Sequence, residues 1–185
     1  MKKLFCVLLS VFLLFSFTAC GKKDKTDGSK IDLEYYVKLG QIPESEYSIG
    51  SDVEEIKEKL KAAFDGTEDS DAVYDVIEGE ENVLIDGGLY NYYYKKANKS
   101  KGISYIVSYD TAYGFNIGDV IIEVRDAFKD IKFKEEALTE ENSFFLPGAS
   151  EGTVLKTQIS NYTVSFVFVD NALCATTLYL TNEWK

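Results

Sequence analysis

Histidine is absent from this 185-residue chain. Its absence excludes general base catalysis by imidazole, excludes Ser-His-Asp triads, and removes the commonest side-chain ligand of transition metals. Cysteine is scarce, with three residues in the whole chain. The fold must therefore be held by its hydrophobic core rather than by a disulfide framework. A content of 45% apolar and aromatic residues is sufficient for such a core.

Basic residues are outnumbered by acidic ones. The chain carries 20 lysines and arginines against 31 aspartates and glutamates, which gives a net charge of −11. This balance disfavours binding to nucleic acid, which requires clustered basic residues. It also disfavours a folded part that lies flat on anionic lipid. We predict no nucleic-acid partner, no cofactor and no catalytic residue set.

The first twenty residues carry the clearest pattern in the sequence. Lys2 and Lys3 precede an apolar run from Leu4 to Phe17, and small residues then lead to Cys20. The run is shorter than the ~20 residues that a membrane-spanning helix needs. A charged start, an apolar stretch and small residues before a cleavage position are typical of an export signal.

This segment resembles the signal peptide and lipobox of bacterial lipoproteins. The resemblance implies that residues 1–19 are removed and that Cys20 receives a diacylglycerol thioether. A lipid-anchored protein on the extracytoplasmic face of the cell membrane is expected, since two acyl chains give stable anchoring. The alternatives are an ordinary secretory signal with an incidental cysteine, or an uncleaved anchor. Removal takes away two of the 20 basic residues, so the mature chain has 18 basic and 31 acidic residues and a net charge of −13.

The rest of the chain divides into a tether and two similar halves. Residues 20–34 are mostly polar and charged, which predicts a flexible tether. Residues 35–110 and 111–185 each contain an Ile-Gly pair, an amphipathic helix, an acidic connector and strands in the same order. We therefore predict an α+β fold of two similar helix-plus-antiparallel-sheet repeats, with the helices packed on one sheet face.

Local signals support individual elements. Ser51 or Asp52 can cap a helix that carries apolar residues at helical spacing as far as Phe64. Aromatic and β-branched residues predict strands over 89–94 and 103–109, and Asp170-Asn171 is a suitable tight turn for a last hairpin.

The repeat unit resembles the families of the outer-membrane lipoprotein SmpA/OmlA and the β-lactamase inhibitory protein. The matching residues are Ile49-Gly50 with the helix after Ser51, and Ile117-Gly118 with the helix after Asp119. The resemblance implies helices on one face of an antiparallel sheet and a role in binding or assembly rather than catalysis. The chain lacks the paired cysteines of the inhibitory protein, so β-lactamase is not predicted as its target.

Tyrosines are the first candidates for a functional surface. Tyr90, Tyr92 and Tyr94 alternate along one face of a predicted strand, and Tyr105 and Tyr109 alternate along the next. Tyrosine supplies a large contact area at low entropic cost, which predicts a partner-binding surface on a sheet face without helices. The alternative is that these rings fill the core.

Two further candidates favour structural roles. The acidic connector with Asp65, Glu68, Asp69 and Asp71 could hold Ca²⁺, but its spacing does not match an EF-hand, so we predict a solvated loop and no metal site. Cys174 lies in a predicted strand without any histidine to activate it, which favours a small buried apolar residue.

Together these observations favour a membrane-anchored, non-enzymatic protein-binding or assembly module whose partner is a protein. Two alternatives remain open. One is a carboxylate-dependent hydrolase of a cell-envelope substrate, which needs a cleft with two acidic residues of separated proton affinity. The other is a lipoprotein that captures a small ligand or a metal.

Overall fold

A continuous antiparallel sheet of eight strands forms the centre of the computed structural model, which describes residues 31–66, 73–140, 142–149 and 151–184. The helices are α1 (Leu33–Lys38), α2 (Val53–Asp65) and α3 (Ile121–Ala127), with a 3₁₀ segment over Lys96–Lys101. The strands are β1 (Asp75–Glu78), β2 (Asn82–Asp86), β3 (Tyr90–Lys95), β4 (Tyr105–Ser108), β5 (Lys134–Ala137), β6 (Thr153–Ile159), β7 (Tyr162–Val169) and β8 (Ala172–Leu180).

The strand order is β1-β2-β3-β4-β8-β7-β6-β5, and every neighbouring pair is antiparallel. The central pair, β4 and β8, joins segments that lie far apart in the sequence. Tyr105 lies opposite Tyr179 in this pair, and Val107 lies opposite Thr177. The two edges are β1 and β5, which are both four residues long.

The predicted architecture of two helix-plus-sheet repeats is wrong. Residues 35–110 and 111–185 both supply strands to one sheet. Strand β4 of the first half forms backbone hydrogen bonds with β8 of the second half, so the two halves do not form separate sheets. Helix α1 also packs against β6 and β7, which belong to the second half of the chain. The helices differ as well, since α2 has 13 residues and α3 has seven.

The three helices of the described residues all contribute to the larger hydrophobic core, on one face of the sheet. Leu33 and Val37 of α1, Val53 and Ile56 of α2, and Val124 of α3 are buried there. The sheet contributes a row of side chains in register across neighbouring strands, which are Ile85, Tyr92, Ile106, Leu178 and Val164. We call this face the helix face.

Local chemistry explains where the main elements begin and turn. The carboxylate of Asp52 accepts hydrogen bonds from the backbone N–H groups of Glu54 and Glu55, both at 2.9 Å, and so caps α2. Asp170 and Asn171 have φ values of 52° and 66°, which are the positive values that a tight turn between β7 and β8 requires.

The N-terminal predictions lie mostly outside the described residues. The predicted signal peptide 1–19, the lipid attachment at Cys20 and the tether as far as residue 30 are among the parts that the structure does not describe. Leu33, which was expected within the tether, is buried in the core at the start of α1. Within the described residues, none of the helices is long and apolar enough to cross a membrane.

Candidate functional site

In the described part of the chain no helix packs on the second face of the sheet, where aromatic side chains form a smaller hydrophobic cluster. Tyr93, Tyr105 and Tyr179 lie side by side on β3, β4 and β8, because the register places Tyr93 opposite Tyr105 and Tyr105 opposite Tyr179. The rings of Tyr93 and Tyr105 meet edge to face at 5.7 Å between centroids. We call this face the open face.

A groove of about 440 Å³ runs over Tyr105 and Tyr179. Its volume lies within the range of ligand-binding clefts, and its mixture of aromatic rings with a few polar groups is typical of them. We call it the open-face groove. Its lining comprises Asn82, Lys95, Tyr105, Glu136, Thr139, Asn142, Phe144, Phe145, Val154, Lys156, Ser165, Val167, Thr177, Tyr179 and Trp184.

Two aromatic residues from outside the sheet form the walls of the groove. Phe144 comes from the loop between β5 and β6, and its ring is parallel to that of Trp184, with 5.8 Å between centroids. The indole N–H of Trp184 donates to the hydroxyl of Ser104 at 3.0 Å, which fixes the ring. The Phe144 side chain is 45% exposed, so it presents an apolar surface to a ligand.

The loop that carries Phe144 is fastened to the sheet by a tyrosine. The hydroxyl of Tyr109 donates to the backbone carbonyl of Phe145 at 2.6 Å. Burial raises the pKa of Tyr109, so this hydroxyl remains a donor even at alkaline pH values where a free tyrosine ionises. Ser143 adds a bond within the loop, from its hydroxyl to the carbonyl of Thr139 at 2.6 Å. The wall is thus held by defined hydrogen bonds rather than by apolar contact alone.

Two lysines lie against the aromatic rings of the groove. The Lys95 Nζ atom is 5.0 Å from the centroid of the Trp184 ring, and the Lys156 Nζ atom is 5.9 Å from that of Tyr179. Both distances are within the range of a cation–π interaction. The ammonium groups are therefore held in fixed places beside the rings.

Glu136 is the acidic residue of the groove lining. A hydrogen bond from Lys134, with 2.7 Å between Nζ and Oε1, is the main reason that the pKa of this carboxyl lies below its usual value, and the charge of Lys156 lowers it further. Glu136 is consequently ionised at neutral pH. A general acid needs the opposite shift, as in glycosidases that keep one carboxyl protonated.

The structure separates the tyrosines that the sequence grouped together. Tyr92 and Tyr94 are buried in the core of the helix face, with Tyr90 packed beside them. Tyr92 is 2% exposed and its ring contacts that of Tyr47 edge to face. The premise that Tyr90, Tyr92 and Tyr94 line an uncovered face is therefore wrong, because α2 and the segment before it contact that side of β3, with Lys57 near the Tyr94 hydroxyl and Tyr47 against the Tyr92 ring.

Tyr105 and Tyr109, by contrast, lie on the open face. Tyr105 lines the groove, and Tyr109 holds its wall. Sequence analysis missed most other members of the groove, among them Phe144, Trp184 and the two lysines. The pair Phe144-Phe145 in a turn-rich stretch and the only tryptophan in the chain were the available signals.

The remaining candidates from the sequence are the acidic connector and Cys174. Asp65 ends α2, whereas Glu68, Asp69 and Asp71 lie outside the described residues. In the described part of the chain, no group of three or more acidic or cysteine side chains is placed to hold a metal ion. Cys174 is a half-buried free cysteine whose Sγ donates to the carbonyl of Val167 at 3.2 Å, and burial raises its pKa.

Comparisons with known proteins do not assign a family. A scan against protein-family models and a search of curated proteins gave no match. A solved structure that is similar is that of a DUF4309 family protein, YjgB, from Bacillus subtilis subsp. subtilis str. 168, with 18% sequence identity, coverage of 80% of this chain and 93% of that chain, and a TM-score of 0.47. This likeness is too distant to support a conclusion about the groove.

Proposed function

We propose that this protein is a lipid-anchored, extracytoplasmic binding module without enzymatic activity, and that its ligand occupies the open-face groove. The observation that carries the proposal is the groove itself, a cleft of about 440 Å³ with an aromatic floor on the sheet face that the helices leave uncovered. A pocket that combines aromatic surface with a few fixed polar groups is the preferred place for a ligand. The sequence pattern of an export signal that ends at Cys20 supports the proposed location.

The electrostatics of the groove favour binding over hydrolysis. Glu136 is the carboxylate of the lining, and its pKa is lowered by the hydrogen bond from Lys134. A carboxylate-dependent hydrolase needs a pair of carboxyls, one of which holds a proton near neutral pH. The groove therefore supplies contacts and charge to a ligand rather than an acid and a base.

A protein-binding or assembly role is the second candidate, and the surface around Phe144 favours it. An apolar depression adjoins the groove on the far side of Phe144 and Phe145, lined among others by Val73, Leu84 and Pro147. Exposed aromatic rings beside apolar side chains are typical of the central part of a protein interface.

Anchoring is tested by fractionation. Cys20→Ser removes the acceptor for the lipid, so we expect this variant in the soluble extracytoplasmic fraction or the medium, and the unaltered chain in the membrane fraction. A Cys174→Ser variant is the matched control, because it removes the other cysteine of the mature chain and leaves the lipid attachment intact. Identical fractionation of all three proteins would rule out the lipid anchor.

Binding is tested by photo-crosslinking in intact cells. A benzophenone amino acid at position 144 places the reactive group on the groove wall, and the same group at position 35 serves as the control. Tyr35 is a suitable control because it is exposed on α1, on the helix side of the sheet. We expect an adduct from position 144 that position 35 does not give. Equal adducts at both positions, or none at either, would overturn the proposal.

A further inference from the structure

The charge around the open-face groove is opposite to the charge of the chain. A second depression continues from the groove and shares Glu136, Lys156, Tyr179 and Trp184 with it. The combined lining contains four lysines, which are Lys95, Lys132, Lys134 and Lys156, and one acidic residue. The whole chain has 31 acidic against 20 basic residues. A local excess of lysines on such a chain favours an anionic ligand.

The lysine charge is only partly neutralised within the protein. Glu136 is closest to Lys134, at 2.7 Å, whereas Lys156 lies 3.9 Å from the other carboxylate oxygen. Lys95 lies 3.9 Å from Glu81, whose side chain is 80% exposed. At 3.9 Å neither ammonium group is within hydrogen-bond distance of its carboxylate, so both retain the capacity to donate hydrogen bonds to an anion.

The polar groups of the floor are hydroxyls and amides of side chains. Thr177 of β8 and Ser165 of β7 lie directly opposite each other in the register, and Thr139 and Asn142 add groups from the loop. The backbone groups of these central strands already pair with their neighbours in the sheet. A peptide that adds a strand requires a free sheet edge, which the floor of this groove is not. Recognition by side chains alone suits a ligand that is itself rich in hydroxyl groups.

Aromatic rings are the third kind of group in the groove, beside the lysines and the polar side chains. Phe144 presents exposed aromatic surface at the wall of the groove, and Tyr105 and Tyr179 line its floor. A sugar ring has a flat face of C–H groups that packs on an aromatic ring, with hydroxyls at its edge for the polar side chains. A ligand that combines such faces with negative charge would use the rings, the hydroxyls and the lysines together.

From this juxtaposition we infer that the ligand of the open-face groove is an anionic oligosaccharide segment, whose sugar units carry carboxylate or phosphate groups. The inference rests on the proposed function, since it names the chemical class of the ligand at the same site. Lys95 and Lys156 contact the anionic groups, and the exposed ring of Phe144 in the groove wall contacts a sugar face. A polymer of the cell envelope and the head group of a glycolipid both present this chemistry.

The test uses the chain with Cys20→Ser and without residues 1–19, and follows the fluorescence of Trp184. Trp184 is the only tryptophan of the chain and lines the groove, so a change in its emission reports on the groove directly. The probes are oligogalacturonate, its methyl ester, a glycerol phosphate-substituted oligosaccharide, glycolipid vesicles with an anionic sugar head group, and poly-glutamate. The methyl ester keeps the sugar and removes the charge, and poly-glutamate keeps the charge and removes the sugar.

We expect at least one of the anionic sugar probes to bind about tenfold more tightly than both the methyl ester and poly-glutamate, because a charge-assisted hydrogen bond contributes a factor of this size. The soluble oligosaccharides and the vesicles distinguish an envelope polymer from a glycolipid as the source. Lys156→Gln should weaken binding about tenfold. Lys59→Gln removes the same charge from α2, on the helix side of the sheet, and should leave binding unchanged.

The inference and the proposed function fail in different ways. Equal or tighter binding of poly-glutamate would overturn the inference in favour of an acidic peptide, and equal binding of the methyl ester would show that charge plays no part. If no sugar probe binds while position 144 still gives its specific adduct in cells, the inference is wrong and the binding module stands. If the adduct is absent as well, the proposed function is wrong.

Discussion

The rings of Tyr105 and Tyr179 lie parallel, with 4.8 Å between their centroids and an angle of 3° between their planes. They lie opposite each other on β4 and β8, the strand pair that joins the two halves of the sheet. Both rings are buried, so their contact stabilises the pairing that sequence analysis did not foresee. The stacked pair therefore lies in the groove floor and also stabilises the pairing of β4 with β8, two strands that are far apart in the sequence.

Replacement of Tyr105 should therefore cost more stability than replacement of an exposed tyrosine. Tyr105→Ala should lower the free energy of unfolding by about 3–5 kcal/mol, because it leaves a cavity and removes the stacked ring. Tyr35→Ala, at a position that is 55% exposed, should change it by less than about 0.5 kcal/mol. Chemical denaturation of both variants is the measurement. Similar losses for the two would contradict the assigned role of the stack.

Glu44 holds a strained turn by accepting two backbone hydrogen bonds. Its carboxylate accepts from the N–H of Tyr113 at 2.9 Å and from that of Gly114 at 3.0 Å, and Tyr113 has a φ of 53°. Glu44→Ala should lower the free energy of unfolding by about 1–3 kcal/mol, because two donors to a charged group lose their acceptor. Hydrogen exchange of the two amides should accelerate.

The control for this change is Glu34→Ala. Glu34 pairs with Lys38 at 3.0 Å, and both side chains are more than half exposed. An exposed pair of this kind contributes about 0.3–0.5 kcal/mol at most. If Glu34→Ala cost as much as Glu44→Ala, the hydrogen bonds to the turn would not be the cause of the loss.

A comparison of alanine substitutions at two glycines distinguishes the cost of backbone strain from the cost of a steric clash. Gly102 and Gly118 have φ values of 81° and 96°, so alanine is strained at both. A Cβ atom at Gly102 would lie 2.4 Å from the carbonyl oxygen of Ser51, whereas one at Gly118 would meet nothing within 4 Å. Gly118→Ala should cost about 1–2 kcal/mol and Gly102→Ala about 1–3 kcal/mol more. Equal shifts of the denaturation midpoint would argue against the close contact between the 3₁₀ segment and the start of α2.

Alkaline pH should destabilise the fold through its buried tyrosines. Burial raises the pKa of Tyr92 and of Tyr93 from 10.0 to about 12. Between these values the unfolded chain ionises and the folded chain does not, so the stabilising contribution is complete below pH 10 and is lost as the pH rises through about 12. Unfolding curves recorded from pH 9 to about 12 should show a steady loss of stability. Ionisation followed at 295 nm with a single step near the ordinary tyrosine pKa would contradict this burial.

Local elements could be predicted from the sequence where one residue determines the geometry. The carboxylate of Asp52 marks the start of α2, and Asp170-Asn171 supplies the positive φ values of the last hairpin. The edge strand β5 was missed because its sequence, KEEA, reads as part of an acidic connector. Charged edge strands carry little of the hydrophobic alternation on which strand prediction depends.

The site was less predictable than the fold elements, for two physical reasons. Alternation along β3 (YNYYYK) places tyrosine on both faces, and it does not tell which face the helices cover. The groove also depends on β4 meeting β8, a pairing between residues about seventy positions apart that no local pattern encodes. Trp184 and Phe144 enter the site from outside the strands, so periodicity gave no signal for them.

The short edges of the sheet have a consequence for copies of the protein held close together. Among the described residues the sheet ends in β1 (DVIE) and β5 (KEEA), and charged side chains form half of β1 and most of β5. Like charges and a length of four residues oppose the alignment of one sheet edge with another. Molecules crowded together would therefore resist pairing edge to edge into a fibril and would remain separate, each with its open-face groove accessible.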